Sequence, residues 1–318
     1  MQLYFGFQPT NPVGDFFSKH GGFGVDIFFV ISGLIMALVI SNGEGDKYVF
    51  LKKRVIRIVP NYWLYTTVFL VMGLYVPNIS SLDASSYTYF LSLFFIPHEN
   101  PSDDLGINPT LPVGWTLNFE MFFYFSIFLI LFIKWPVVKQ LYFVALTMLS
   151  LPLLYHFCAV ETYKVVAGNV RLWEFGGGCV IGIIYLGYKQ HYLSILTGLL
   201  VLSFISIALD KLIYIPLAML IVMSALAVDD LFKNNRLLTR LGVWLGEVSY
   251  STYLAHGIIL WNVHMIMDGV ILIVQLLAYI ICTIILSYVT YELIETRFSK
   301  YLTAKFVSNY TRPESLAR

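Results

Sequence analysis

The chain reads as an all-α integral membrane protein, a multi-helix bundle of about nine transmembrane spans, and three features of the sequence say so. Apolar residues make up 58% of the 318 residues and charged residues only 12%, with a mean hydropathy of +0.75. A water-soluble fold carries about 25% charged residues, so this chain cannot face water on all sides. Its apolar runs are continuous rather than alternating, which selects helices over a membrane barrel. Finally, lysine and arginine alternate from one inter-span connection to the next, as chains threaded back and forth through a bilayer require.

A helix needs about 20 apolar residues to cross, and on that rule the spans fall near 24–41, 58–76, 114–133, 138–160, 170–188, 192–209, 212–228, 247–266 and 270–291. The run 87–97 is too short and ends in proline, so it is expected to be re-entrant or interfacial. Sixteen of the 20 basic residues fall on one side of this topology, including Lys47, Lys52, Lys53, Arg54 and Arg57. Four fall on the other, where the 77–113 loop carries only acids: Asp83, Glu99, Asp103 and Asp104. The basic side is therefore read as cytoplasmic, with the C-terminus inside. Residues 1–23 become an outside N-terminal segment, 24–297 the transmembrane domain, and 298–318 a loosely ordered polar tail. A start outside, with no basic anchor before it, predicts a helix missing upstream.

Other classes are excluded. Formal net charge is +1 with no isolated basic domain, which argues against nucleic acid. Cys158, Cys179 and Cys282 lie in apolar stretches and point to neither a disulfide framework nor a metal site. No phosphate-binding loop, zinc-protease or nucleophile-elbow motif occurs. Any catalysis takes place within the membrane.

A charge at mid-bilayer costs roughly 2.5–3.5 kcal/mol, so each one needs a reason. Asp26 in GVDIFFVISG is either a first-turn acid capping free amides or a functional carboxylate. Arg54 and Arg57 in LKKRVIRIVPNYW are either inside anchors or an anion clamp whose guanidinium forks grip phosphates. Glu120 in GWTLNFEMFFYF sits among aromatic residues with no basic residue on its span; such a carboxylate suits acid–base chemistry. Ser249, Thr252 or Tyr253, and His256 form a polar stripe that either joins helices or meets substrate. Arg171 and Glu174, three apart, are expected to neutralise one another.

Four segments in order resemble the acyltransferase 3 family of bacterial inner-membrane proteins: GVDIFFVISGLIM, FLKKRVIRIVPNYW, GWTLNFEMFFYF, and LGEVSYSTYLAHGIIL followed by YELIETRF. The resemblance runs from about residue 21 to 298 and looks nearest to members that O-acetylate exopolysaccharides and other surface glycans. It implies ten helices, acetyl-CoA as a cytoplasmic donor with no permanently bound cofactor and no metal, and a glycan or lipid-linked saccharide acceptor across the membrane. It implies Arg54 and Arg57 near the CoA phosphates, Glu120 and Asp26 as catalytic groups, and Trp115 with them in the acceptor region. Tyr253 and His256 match a recurrent family feature and are taken as substrate-binding. Family members carry a further helix before the Gly-Val-Asp-Ile segment, bearing an arginine and the histidine taken to be catalytic. That helix supplies the tenth span. A polytopic transporter or flippase, or a truncated inactive acyltransferase, are the alternative readings.

Overall fold

The computed structural model describes residues 22–42, 46–75, 86–100, 107–154, 157, 166–187, 214–227, 236–267 and 269–307. Apolar sequence with few glycine or proline breaks produces helices throughout them, with no strand among the described residues. In chain order they are α1 (Phe23–Ser41), α2 (Lys47–Tyr75), α3 (Ser86–Leu93), α4 (Trp115–Ile130), α5 (Val137–Leu154), α6 (Arg171–Gly187), α7 (Tyr214–Ala227), α8 (Arg236–Ile266), α9 (Leu272–Thr290) and α10 (Ser299–Phe306). A π-helical segment, Tyr291–Phe298, joins α9 to α10 without a break. Among the described residues, five helical stretches are long and apolar enough to cross a membrane: Phe23–Ser41, Lys47–Gly73, Pro112–Ile130, Val137–Leu154 and Ile273–Phe306. The expected span 247–266 is not one of them, because the polar stripe on α8 lowers its hydropathy; α6 (17 residues) and α7 (14 residues) are shorter helices than these five. The expected span 192–209 and residues 1–21 lie outside the described residues.

Chain contacts divide the protein into two units. One contains residues 20–51 and 119–236. Its core is Val30, Leu34, Ile181, Ala218, Val222 and Met223, from α1, α6 and α7. Small residues let α1 and α6 meet backbone to backbone. A Cβ added at Gly33 would collide with the carbonyl of Phe175, and one at Gly178 with that of Val30. The Cys179 thiol bonds the Gly33 carbonyl at this contact.

The other unit contains residues 52–118 and 237–318. Here α10 and α8 each donate a side-chain hydrogen bond to a main-chain carbonyl of α2. Pro60 lies inside α2 and has no N–H, so the carbonyl of Ile56 loses its helical partner. The Ser299 hydroxyl takes that place, donating to Ile56 O at 3.2 Å. Tyr250 of α8 donates to Ile58 O at 2.9 Å. The run 87–97 forms α3 and then reverses at Phe95, whose φ of 57° is left-handed. Tyr62 and Trp63 of α2 fix this reversal by donating to Ser92 O and Leu93 O.

Two expected boundaries move. α2 starts at Lys47, ahead of the apolar run at 58, because Lys and Arg are good helix formers. The expected tail from 298 is helical to Phe306; the Ser299 bond and a Lys52 Nζ bond to Phe306 O tie α10 to α2. Ile273, Leu277, Ile280, Ile281, Ile284 and Ile285 of α9 are all exposed in the isolated chain, a face suited to acyl chains rather than water.

Candidate active site

The residues singled out from sequence fall in both units, and each group is built within its own. In the unit holding α8, the arginine pair stands on α2. Three residues apart on a helix, Arg54 and Arg57 point in neighbouring directions, but Arg54 is buried at 8% exposure while Arg57 is exposed. The residue that organises this region was not among those chosen from the sequence. Glu295, in the π segment, accepts hydrogen bonds from the Ser251 hydroxyl and from Asn61 Nδ2, the latter at 3.1 Å. Asn61 Nδ2 also reaches Ser251 Oγ at 2.9 Å, so three helical segments share one polar knot, buried at Asn61 and Ser251 and half-buried at Glu295. Arg57 is the cation whose field reaches Glu295. Lys53, Glu295, Ser299, Lys300 and Thr303 border a cavity beside this knot.

Of the expected α8 stripe, Tyr253 reaches a neighbouring element while Ser249 and Thr252 do not. Ser249 and Thr252 bond their own helix, at Gly246 O and Val248 O. Tyr250, Ser251 and Tyr253 are among the α8 side chains that reach other elements. Tyr253 donates to Val113 O at 2.7 Å and accepts from the Thr116 hydroxyl at 2.9 Å, which fixes the ring beside the start of α4. Trp115, half-buried, is the first residue of α4. His256 Nδ1 faces the carbonyl of Tyr253. A carbonyl only accepts, so in the neutral ring Nδ1 carries the proton and Nε2 holds the lone pair.

In the unit holding α1, Asp26 is 3% exposed and pairs with Arg171, whose same nitrogen lies 2.8 Å from Glu174. The expected Arg171–Glu174 pair is present, but Arg171 also serves Asp26, 145 positions away in sequence. Asp26 is thus a cross-helix ligand of a guanidinium. Glu120, 6% exposed, accepts the Tyr124 hydroxyl one turn along α4. Aromatic rings surround this part of the unit: Phe29 contacts Phe119 and Phe175, Phe123 lies 4.3 Å from Phe175 centroid to centroid, and Phe50 meets Tyr124 edge-on. Trp115 and Glu120 lie five residues apart on α4, about 140° around the helix, so they do not project from one face. No group of histidine, cysteine or acidic residues able to hold a metal occurs among the described residues.

Comparison with known proteins places this geometry in context. Residues 2–292 match the acyltransferase domain family. The exopolysaccharide production protein ExoZ of Rhizobium meliloti is 34% identical over 264 residues, 79% of this chain and 80% of that protein. The O-acetyltransferase OatA of Staphylococcus aureus is 28% identical over 88% of this chain, which spans about half (53%) of that longer protein. The peptidoglycan O-acetyltransferase OatA of Listeria monocytogenes is 30% identical over a shorter stretch of 131 residues, 37% of this chain and 21% of that one. No solved structure matches the chain. A match across most of its length, together with helices suited to repeated membrane crossing, answers the transporter alternative: the protein is a multi-pass membrane enzyme, and it belongs to the acyltransferase domain family.

Proposed function

We propose that the protein transfers an acetyl group from acetyl-CoA to a hydroxyl of an exported or surface polysaccharide, in the bacterial inner membrane with its C-terminus in the cytoplasm. The observation that carries this reading is the 34% identity to an exopolysaccharide production protein along four-fifths of both chains. The O-acetyltransferase relatives supply the acyl group and the oxygen acceptor.

The reaction is attack of an alcohol oxygen on a thioester carbonyl. A base takes the hydroxyl proton, a tetrahedral oxyanion forms, and CoA leaves as the thiolate, to be protonated. Arg54 and Arg57 take the donor's phosphates; two guanidinium groups one helical turn apart suit a bidentate grip. Glu120 is the acid–base carboxylate and Asp26 supports it. Support for Glu120 comes from its burial and from the Tyr124 hydroxyl, which orients the carboxylate. Trp115 offers an aromatic face to the C–H surface of a sugar ring, and Tyr253 and His256 bind substrate alongside it. The fixed Tyr253 ring and the Nε2 lone pair of His256 support that assignment.

The test is radiolabelled acetyl transfer from acetyl-CoA to the host's polysaccharide, using the protein in native membranes. Arg57→Ala is expected to raise the KM for acetyl-CoA by about tenfold or more, the scale of one lost charge-assisted contact. An unchanged KM with full acetylation rejects the clamp. Absence of any acetyl transfer by the unmodified protein rejects the function.

A further inference from the structure

In the unit holding α8, the cavity bordered by Lys53 and Lys300 has a volume of about 580 Å³. That is far more than a bare phosphate fills and falls in the range of small-molecule sites, about 300–1,000 Å³. Its walls come from two helices that are held together. Ser299 caps the carbonyl of Ile56 that Pro60 leaves without a helical donor, and Lys52 Nζ lies 3.3 Å from Phe306 O at the far end of α10. The spacing of α2 and α10 is therefore fixed by bonds at both ends of α10.

The chemistry of the walls is mixed in an informative way. Lys53 and Lys300 bring two ammonium groups to one cavity, and Thr303 brings a hydroxyl one turn beyond Ser299. Ser299 itself donates to Ile56 O and Ile294 O, so it is a strut. Glu295 supplies the opposite charge on the same lining, held in place by Ser251 and Asn61. Val307 adds an apolar surface. Two cations call for phosphate, while a fixed carboxylate calls for hydroxyl or amine donors on the same ligand. A nucleotide carries both, on a flat base that an apolar wall accommodates. A lipid headgroup or inorganic phosphate satisfies the lysines alone.

We infer that the cavity between α2 and α10 receives the nucleotide end of the acyl donor, with Lys53 and Lys300 on its phosphates and Glu295 facing its sugar or base. The assignment rests on the donor reading given above. It extends the binding surface past Arg54 and Arg57 to α10, which lies beyond the stretch matched to the family.

Binding of CoA to the full chain in phosphatidylcholine nanodiscs tests it. Lys300→Glu is expected to raise the Kd for CoA at least tenfold, which is about 1.4 kcal/mol, with an unchanged thermal transition. Lys300→Arg is expected to stay within about twofold. In the unmodified protein, CoA is expected to shield Lys300 from an amine-reactive label read by mass spectrometry, a readout that needs no folded variant. CoA binding that ignores Lys300→Glu and leaves Lys300 labelled overturns the cavity assignment while the donor reading stands. No CoA binding by the unmodified chain overturns the donor reading, and the nucleotide site with it. Retention of phosphatidylglycerol that Lys300→Glu abolishes, with CoA unable to displace it, identifies a lipid headgroup and overturns the nucleotide assignment.

Discussion

Arg171→Met is the most informative perturbation of the unit built on α1 and α6. The guanidinium serves two carboxylates at once, and their side chains are 4% (Asp26) and 1% (Glu174) exposed, against 23% for Arg171. At the 2.8 Å Arg171–Glu174 separation, Coulomb's law with an effective dielectric of about 20 sets a ceiling of about 6 kcal/mol. The measurable effect is smaller, because desolvation opposes the gain. Removing one partner of a buried pair costs about 3–5 kcal/mol, since the remaining charge is left without compensation. Arg171 is partly exposed, which places the expected loss near the lower end, about 3 kcal/mol. Neutralising all three in Arg171→Met/Asp26→Asn/Glu174→Gln is expected to bring stability back to within about 1 kcal/mol of the unmodified protein. Reversible unfolding in mixed detergent micelles measures both. A loss below about 1 kcal/mol for the single variant, or a triple variant no more stable than the single, refutes the argument. It would also leave the Asp26 carboxylate available for the acceptor alone.

Two further outcomes follow from local geometry. Gly178→Ala places a methyl 2.8 Å from the Leu34 nitrogen, and a backbone cannot yield as a side chain can; the same unfolding measurement is expected to show a loss of about 1–3 kcal/mol, and a loss under about 0.5 kcal/mol would mean that α1 and α6 do not meet there. Glu120→Gln keeps an oxygen to accept from Tyr124, so stability should change by less than about 1 kcal/mol, whereas acetyl transfer should fall by about 10²–10⁴-fold; full activity in that variant would remove Glu120 from the chemistry.

Much of the helical layout can be read from hydropathy, because an apolar run of crossing length has few alternatives to a helix. The runs at 24–41 and 114–133 correspond to α1 and α4 within about three residues. Hydropathy fails where a helix continues through polar sequence. Lys47–Arg57 and Ser299–Phe306 are helical although charged, since backbone preference and tertiary bonds decide helicity there, not apolar content. In the site, burial of Glu120 could be anticipated from the rings that flank it in sequence. The Asp26–Arg171 pair could not, because 145 positions separate the partners and only the close approach of α1 and α6 joins them. Glu295 went unmarked for a related reason. YELIETRF holds two acids that look alike, yet Glu292 pairs with Arg297 on the exposed side while Glu295 turns inward to Asn61 and Ser251. The signal that separates them is the five-residue spacing of Glu292 and Arg297, which belongs to a π-helix and not to an α-helix.

That π segment decides where along this helix the chain can lose one residue. A π stretch holds one residue more per hydrogen-bonded ring than an α-helix, so deleting a single codon anywhere from Tyr291 to Phe298 permits the stretch to close into regular α-helix. The residues beyond it then keep roughly their direction, whereas the same deletion within the regular turns of α9 would turn everything beyond it by about 100°. In that second case Ser299 would leave the Ile56 carbonyl, and Lys300 and Thr303 would swing off the wall they share with Lys53. Such a frame-preserving deletion would leave hydropathy, charge and crossing length almost unaltered while dismantling one face of the protein. In comparisons across relatives, a single-position gap is therefore expected to fall in this octet rather than in the regular turns of α9.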